Sequence, residues 1–129
     1  MMRRPLHSRF SAAVRAGRKT TTMREKAWPV GVPILLYNWS EKPYRSTQLE
    51  VAVVVVEWVD EVDIWRDPDG KMSYGWQRRS TSGGRCLWER EGFESQTDMD
   101  MWFRPLAKPG VTLKRKLMGF RLVEERGAA

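Results

Sequence analysis

Residues Leu49 to Trp58 read Leu-Glu-Val-Ala-Val-Val-Val-Val-Glu-Trp. β-branched side chains are stiff about their first torsion and crowd a helix, so this run favours an extended chain. It does not alternate apolar with polar from Val51 to Val56, so both faces of the strand need covering. It is also far shorter than the ~20 apolar residues that cross a bilayer as a helix. A central strand is therefore expected, with neighbours on both sides and apolar layers above and below.

The rest of the chain offers those neighbours. Ile34 to Trp39 reads as a strand after a stretch punctuated by Pro29, Gly31 and Pro33. Val62 to Trp65 continues beyond a break or bulge near Asp60. Asp67-Pro68-Asp69-Gly70 is a strong turn signal, and Lys71 to Trp76 is its hairpin partner. Lys19 to Arg24, rich in Thr, reads as a short extended segment, and Lys116 to Val123 as a closing strand. Phe10, Ala13, Val14 and Ala16 suggest a short helix that Gly17 ends. Cys86 to Glu91 reads as a helical turn ended by Gly92. Thr97 to Phe103 forms a second helix, with Met99, Trp102 and Phe103 on one stripe. The fold expected is α+β: a small β-barrel of about five or six mostly antiparallel strands with a few short helices. Residues 1–8 are expected as a flexible basic leader, 9–123 as the domain and 124–129 as a tail. The polar segment Gln77 to Arg85 is expected to be mobile.

Composition excludes several chemistries. The 129 residues suit one domain. Cys86 is the only cysteine, so no internal disulfide forms, and a reducing cytoplasmic setting is expected. His7 is the only histidine, which removes histidine catalysis and multi-histidine metal sites. No metal or cofactor, no signal peptide and no membrane contact are expected. Seven Trp residues is a high count. Trp58, Trp102, Phe103 and Phe120 are assigned to the core, whereas Trp39, Tyr44 and Trp76 sit beside loops where rings can stack on bases.

The net charge of +7 is unevenly placed. Residues 1–26 hold eight Lys or Arg against Glu25 alone, while the remaining residues balance at fifteen of each sign. Arg104 to Arg121 adds six basic residues and no acid, and Glu57 to Asp69 holds six acids against Arg66. Two readings stay open: a mixed solvated surface, or a basic face for phosphate with an acidic edge turned away.

The segment Gly17-Arg18-Lys19-Thr20-Thr21-Thr22-Met23-Arg24 resembles the opening signature of ASCH domains, G-x-K-T-x-T-x-R, which likewise follows a short helix. Glu91-Gly92-Phe93, with Met99, Trp102 and Phe103 behind it, resembles that family's E-G-F element and trailing helix. Ile34 to Tyr37 and Phe120 fall where the family has strands, so the resemblance covers roughly residues 9–122. The Lys42-Pro43-Tyr44-Arg45-Ser46 loop looks like versions found in phage and prophage genomes. Two departures stand out: Gly31-Val32-Pro33 replaces the family's usual Gly-Asp pair, and the loop from Arg78 to Arg85 is long.

The resemblance implies a PUA-like barrel and a partner that is RNA, single-stranded nucleic acid or a small nucleoside. One subgroup of the family hydrolyses acetylated cytidine with a Lys, a Thr and a Glu. By motif position these are Lys19, Thr22 and Glu91, with Arg24 as a nearby substrate contact and Arg18, Tyr44 and Arg45 as further binding residues. A third possibility is a phage protein that binds a host protein through its basic face. Amide hydrolysis needs a nucleophile, a base to activate it and a group that manages protons. Lys19 serves as base only if its pKa falls well below the usual ~10.4. In a regular strand Lys19 and Thr22 point to opposite faces, so convergence requires Lys19 on the turn after Gly17, or a bulge. Gly17-Arg18-Lys19-Thr20 lacks the spacing of a nucleotide-binding P-loop.

Overall fold

The computed structural model describes residues 1–76 and 86–127. The chain forms a small, mostly-sheet α+β domain. Strand β1 (Met2–Pro5) leads through a 3-10 turn (Ser8–Phe10) into helix α1 (Ser11–Arg15) and strand β2 (Thr21–Arg24). Strands β3 (Pro33–Trp39), β4 (Gln48–Arg66) and β5 (Met72–Trp76) follow. Helices α2 (Leu87–Glu91) and α3 (Gln96–Phe103) then precede β6 (Leu113–Glu125). The sheet runs β1-β3-β4-β6-β2, with β5 also paired to β4. Among the strand pairs of the described residues only β1–β3 is parallel.

β4 is the spine the valine run demands. Val51 to Val56 are all buried, and Val51, Val54 and Val56 have no exposed surface. Of the break or bulge expected near Asp60, the chain makes a bulge, within one strand of 19 residues. The register against β6 shifts between Val56 and Trp58, so exposed Glu57 is the extra residue of a bulge. A bulge bends a strand and strengthens its twist without ending it. β4 therefore pairs with β3 along its first half, with β5 along its last residues and with β6 along most of its length. Trp58 lies flat over its partner Gly119; a Cβ there would fall 1.9 Å from the indole.

The first eight residues, expected as a flexible leader, instead carry β1. Met2 to Pro5 pair with Ile34 to Tyr37, and Leu6 N–H donates to the Tyr37 carbonyl at 2.8 Å. The reason lies in β3, whose outer edge would otherwise present a row of unpaired backbone groups. At the other end, where a tail is expected from residue 124, β6 runs to Glu125 and Arg126 closes an ion pair with Glu50 at 3.0 Å. The segment Gln77 to Arg85 lies outside the described residues.

The backbone ladders give an open sheet where the sequence analysis expects a barrel. Among the described residues no ladder joins β1 to β2, the two ends of the strand order. One side chain spans that gap: Arg24 Nη2 donates to the Pro5 carbonyl at 3.0 Å. The core contains Phe10, Val14, Phe93, Met99 and Phe103, with the inner residues of β3, β4 and β6. Of the rings assigned to it, Phe103 and Phe120 are buried, while Trp58 and Trp102 are half-buried. Among the described residues no helix is long and apolar enough to cross a membrane.

Candidate functional site

Two glycines shape the backbone around Lys19. Gly17, at φ +73°, ends α1 in the left-handed conformation, and the Arg18 and Lys19 N–H groups both return to the Ala13 carbonyl. Gly92, at φ +87°, ends α2 in the same way. A Cβ on Gly92 would lie 3.0 Å from the Lys19 Cβ and 3.3 Å from that of Ala13, so the two helix ends close over Lys19. Thr20 N–H donates to the Arg90 carbonyl at 2.8 Å and fastens the start of β2 to α2. Lys19 thus lies on the turn before the strand, the first of the two placements the sequence analysis allows.

The side chains then fall into a tight polar cluster. Lys19 is 3% exposed, Thr21 0%, Thr22 2% and Glu91 3%. Lys19 Nζ donates to the Glu91 carbonyl at 2.8 Å and lies 3.9 Å from Glu91 Oε2. The amine also sits 4.7 Å from the Phe10 ring centroid. Thr21 Oγ1 donates to Glu91 Oε2 at 2.5 Å. Burial pushes the Lys19 amine down from 10.5 to about 8; Glu91 partly offsets this, and Arg24 adds to it.

The other face of β2 holds a second group. Arg24 Nη1 donates to Thr22 Oγ1 at 2.8 Å and to the Met23 carbonyl at 3.0 Å. Its guanidinium carbon lies 5.1 Å from the Trp28 ring centroid, a cation–π contact. Burial also lowers the Arg24 pKa, while the Glu91 charge raises it. Arg24 stays charged at any ordinary pH. It is partly exposed, whereas Lys19, Thr21, Thr22 and Glu91 are buried.

Of the residues singled out in the sequence, Lys19 and Glu91 meet directly, and Thr22 and Arg24 meet each other. The hydroxyl bonded to Glu91 is that of Thr21, which the sequence reading passes over. Arg18 is exposed on the turn beside Lys19. Tyr44 and Arg45 are exposed on the loop between β3 and β4, where Tyr44 meets the Trp39 ring. The period-two pattern says only that Thr21 and Thr22 point to opposite faces; which of them meets Glu91 is set by the Thr20 bond to Arg90, a contact with no local sequence signal.

Chemically, the cluster offers an amine able to lose its proton near neutral pH, a carboxylate and two hydroxyls, with a fixed cation at its edge. The Cys86 thiol is exposed and lies outside it. Among the described residues no group of three or more His, Cys, Asp or Glu could hold a metal ion. A separate concavity of about 710 Å³ lies along β4, β5 and β6. Its charges pair across the strands, Lys116 with Glu61 at 2.5 Å and Lys114 with Asp63 at 3.7 Å. The chain matches no protein-family model, no curated protein and no solved structure.

Proposed function

We propose that this chain is an ASCH-like domain that takes a nucleoside, free or within RNA, at Lys19, Thr22, Arg24 and Glu91. The observation that carries the reading is the burial of Lys19 against Glu91 and Thr21 from two distant segments. Taking an ammonium and a carboxylate out of water costs several kcal/mol per ion, and a well-packed apolar pair of similar volume is often no less stable. Strongly perturbed groups of this kind concentrate at functional sites. Arg24, at the edge of the cluster, presents a guanidinium beside the Trp28 ring, a pairing suited to a flat heterocycle with carbonyl acceptors. Closure into a PUA-like barrel belongs to the same reading and is supported by the Arg24 bridge to β1.

The Lys19 amine supports a second reading, an amidohydrolase that removes the acyl group from acylated cytidine. An amine with a pKa of about 8 is present in its neutral, proton-accepting form far more often at neutral pH than an ordinary lysine. Lys19 would act as base and Glu91 would relay the proton. The nucleophile would be a threonine hydroxyl or a water that it positions. Thr22 is the residue the family motif names, and Thr21 is the one that touches Glu91.

Calorimetric titration with cytidine and with N4-acetylcytidine, alongside NMR detection of acetate, tests both readings. Saturable binding that Arg24→Gln and Lys19→Met each weaken supports the nucleoside site. Acetate release that Lys19→Met, Glu91→Gln and one of Thr21→Val or Thr22→Val abolish supports the hydrolase. Nucleoside binding that is absent, or that survives both Lys19→Met and Arg24→Gln, contradicts the proposal.

A further inference from the structure

The loop between β3 and β4 is built to hold one aromatic ring in solvent. Tyr44 is 88% exposed, the most exposed of the large hydrophobic residues. It is also the one non-glycine residue with positive φ among the described residues, at +64°. A left-handed backbone is unfavourable for a residue with a Cβ, and such conformations persist where the surroundings over-determine them. Those surroundings are present. The Ser40 N–H donates to the Thr47 carbonyl at 2.8 Å, and the Thr47 N–H returns to Ser40 Oγ at 3.1 Å. Ser46 Oγ donates to the Lys42 carbonyl at 2.8 Å and accepts from the Glu41 N–H at 3.0 Å. Arg45 N–H closes the turn on the Lys42 carbonyl at 3.2 Å.

The ring has company on one side only. The Trp39 ring lies 5.4 Å from Tyr44 at an interplanar angle of 50°, and Tyr37 meets Trp39 edge-on at 5.4 Å. Exposed Lys42 and Arg45 flank Tyr44, and among the described residues neither makes an ion pair. Arg3 of β1 reaches Gln48, the residue after the loop, at 3.0 Å.

We infer that this loop is a stacking platform for single-stranded nucleic acid, with Tyr44 taking a base and Lys42, Arg45 and Arg3 the flanking phosphates. An exposed ring beside unpaired cations fits an unstacked base on a polyanion, because every base offers a face and every step a charge. A protein partner would favour a broader apolar patch, and apart from Pro43 and the Trp39 ring behind it the loop residues around Tyr44 are polar or charged. The inference rests on the loop alone and stands whether or not the Lys19 cluster takes a nucleoside.

The test is fluorescence anisotropy of the full chain with a labelled 12-nucleotide oligouridylate, and with a duplex of equal length. Saturable binding that weakens with salt is expected, with the single strand preferred. Tyr44→Ala should weaken it about tenfold and Tyr44→Phe about twofold or less, since the ring and not the hydroxyl does the stacking. The Lys42→Gln/Arg45→Gln double variant should lower the salt slope by between one and two. Tyr44→Gly, which suits the left-handed backbone, should lose binding while the melting temperature holds or rises. No binding at low salt, equal affinity of wild type and Tyr44→Ala, or a duplex bound as well as the single strand would each overturn the inference. Free-nucleoside binding measured on the same variants should be unchanged by Tyr44→Ala, so failure of the platform and failure of the Lys19 site read out separately.

Discussion

Thr21 and Thr22 are neighbours in sequence, both buried and both hydrogen-bonded, yet they belong to different environments. Thr21 faces the helices and donates to a carboxylate that also faces a buried ammonium. Thr22 faces the opposite way and accepts from Arg24, which also donates to the Met23 and Pro5 carbonyls. The first group is closed and holds an amine whose charge is marginal. The second is fixed in charge, reaches the surface and ties the two ends of the sheet together. One step along a strand therefore separates a proton-handling group from an anchoring group.

That contrast sets the expected order of mutational effects. Glu91→Ala comes first, because it strips the buried Lys19 ammonium of its one opposite charge and Thr21 of its acceptor. A loss of about 3 kcal/mol at pH 7 is expected in urea unfolding. Part of it should return at pH 9.5, where Lys19 is neutral. A loss that does not depend on pH would mean the carboxylate matters for packing alone.

Next is the pH profile of the wild type. The Lys19 pKa is about 8 when folded and 10.5 when exposed. Between these values the unfolded chain holds the extra proton, so stability rises with pH. The contribution is full above 10.5 and gone below about 8, and it amounts to about 3 kcal/mol at most. Lys19→Met should flatten that rise, and Arg24→Gln should leave a smaller one, because the Arg24 charge also lowers the Lys19 pKa. An unchanged alkaline rise in Lys19→Met would assign it to another group.

The two threonines give the smallest and most direct contrast. Thr21→Val removes a donor from a buried carboxylate and should cost about 1.5–3 kcal/mol. Thr22→Val removes one of several acceptors around Arg24 and should cost about 0.5–1.5 kcal/mol. Equal costs in thermal unfolding would erase the distinction between the two faces.

Much of this arrangement was legible in the sequence, for reasons that are local. The valine run needs burial on both faces wherever it sits. Gly17 and Gly92 end helices because only glycine takes the left-handed turn without cost. Met99 and Phe103 recur at the helical period, and both are buried. What was not legible depends on distant partners. Met2 to Pro5 carries no strand signal of its own; the exposed edge of β3 recruits it. The local pattern near Asp60 leaves a break or a bulge open, and the unity of β4 is decided by β6, which pairs with it on both sides of Glu57. The choice between Thr21 and Thr22 turns on where β2 begins, and that start is fixed by the Thr20 bond to Arg90, seventy residues away. The left-handed backbone of Tyr44 arises from serine and threonine bonds across the loop, and nothing in its residue type foretells it.

The central claim is that burial brings the Lys19 amine down to a pKa of about 8, with Glu91 partly offsetting the shift and Arg24 adding to it. The amine's own titration tests that most directly. In protein labelled with 13C-lysine, the Lys19 ε-carbon should titrate with a midpoint near 8. The midpoint should fall further in Glu91→Gln, because the charge that raises it is gone. Adding N4-acetylcytidine should shift the same signal. A midpoint near 10.5 that Glu91→Gln leaves in place would contradict the account.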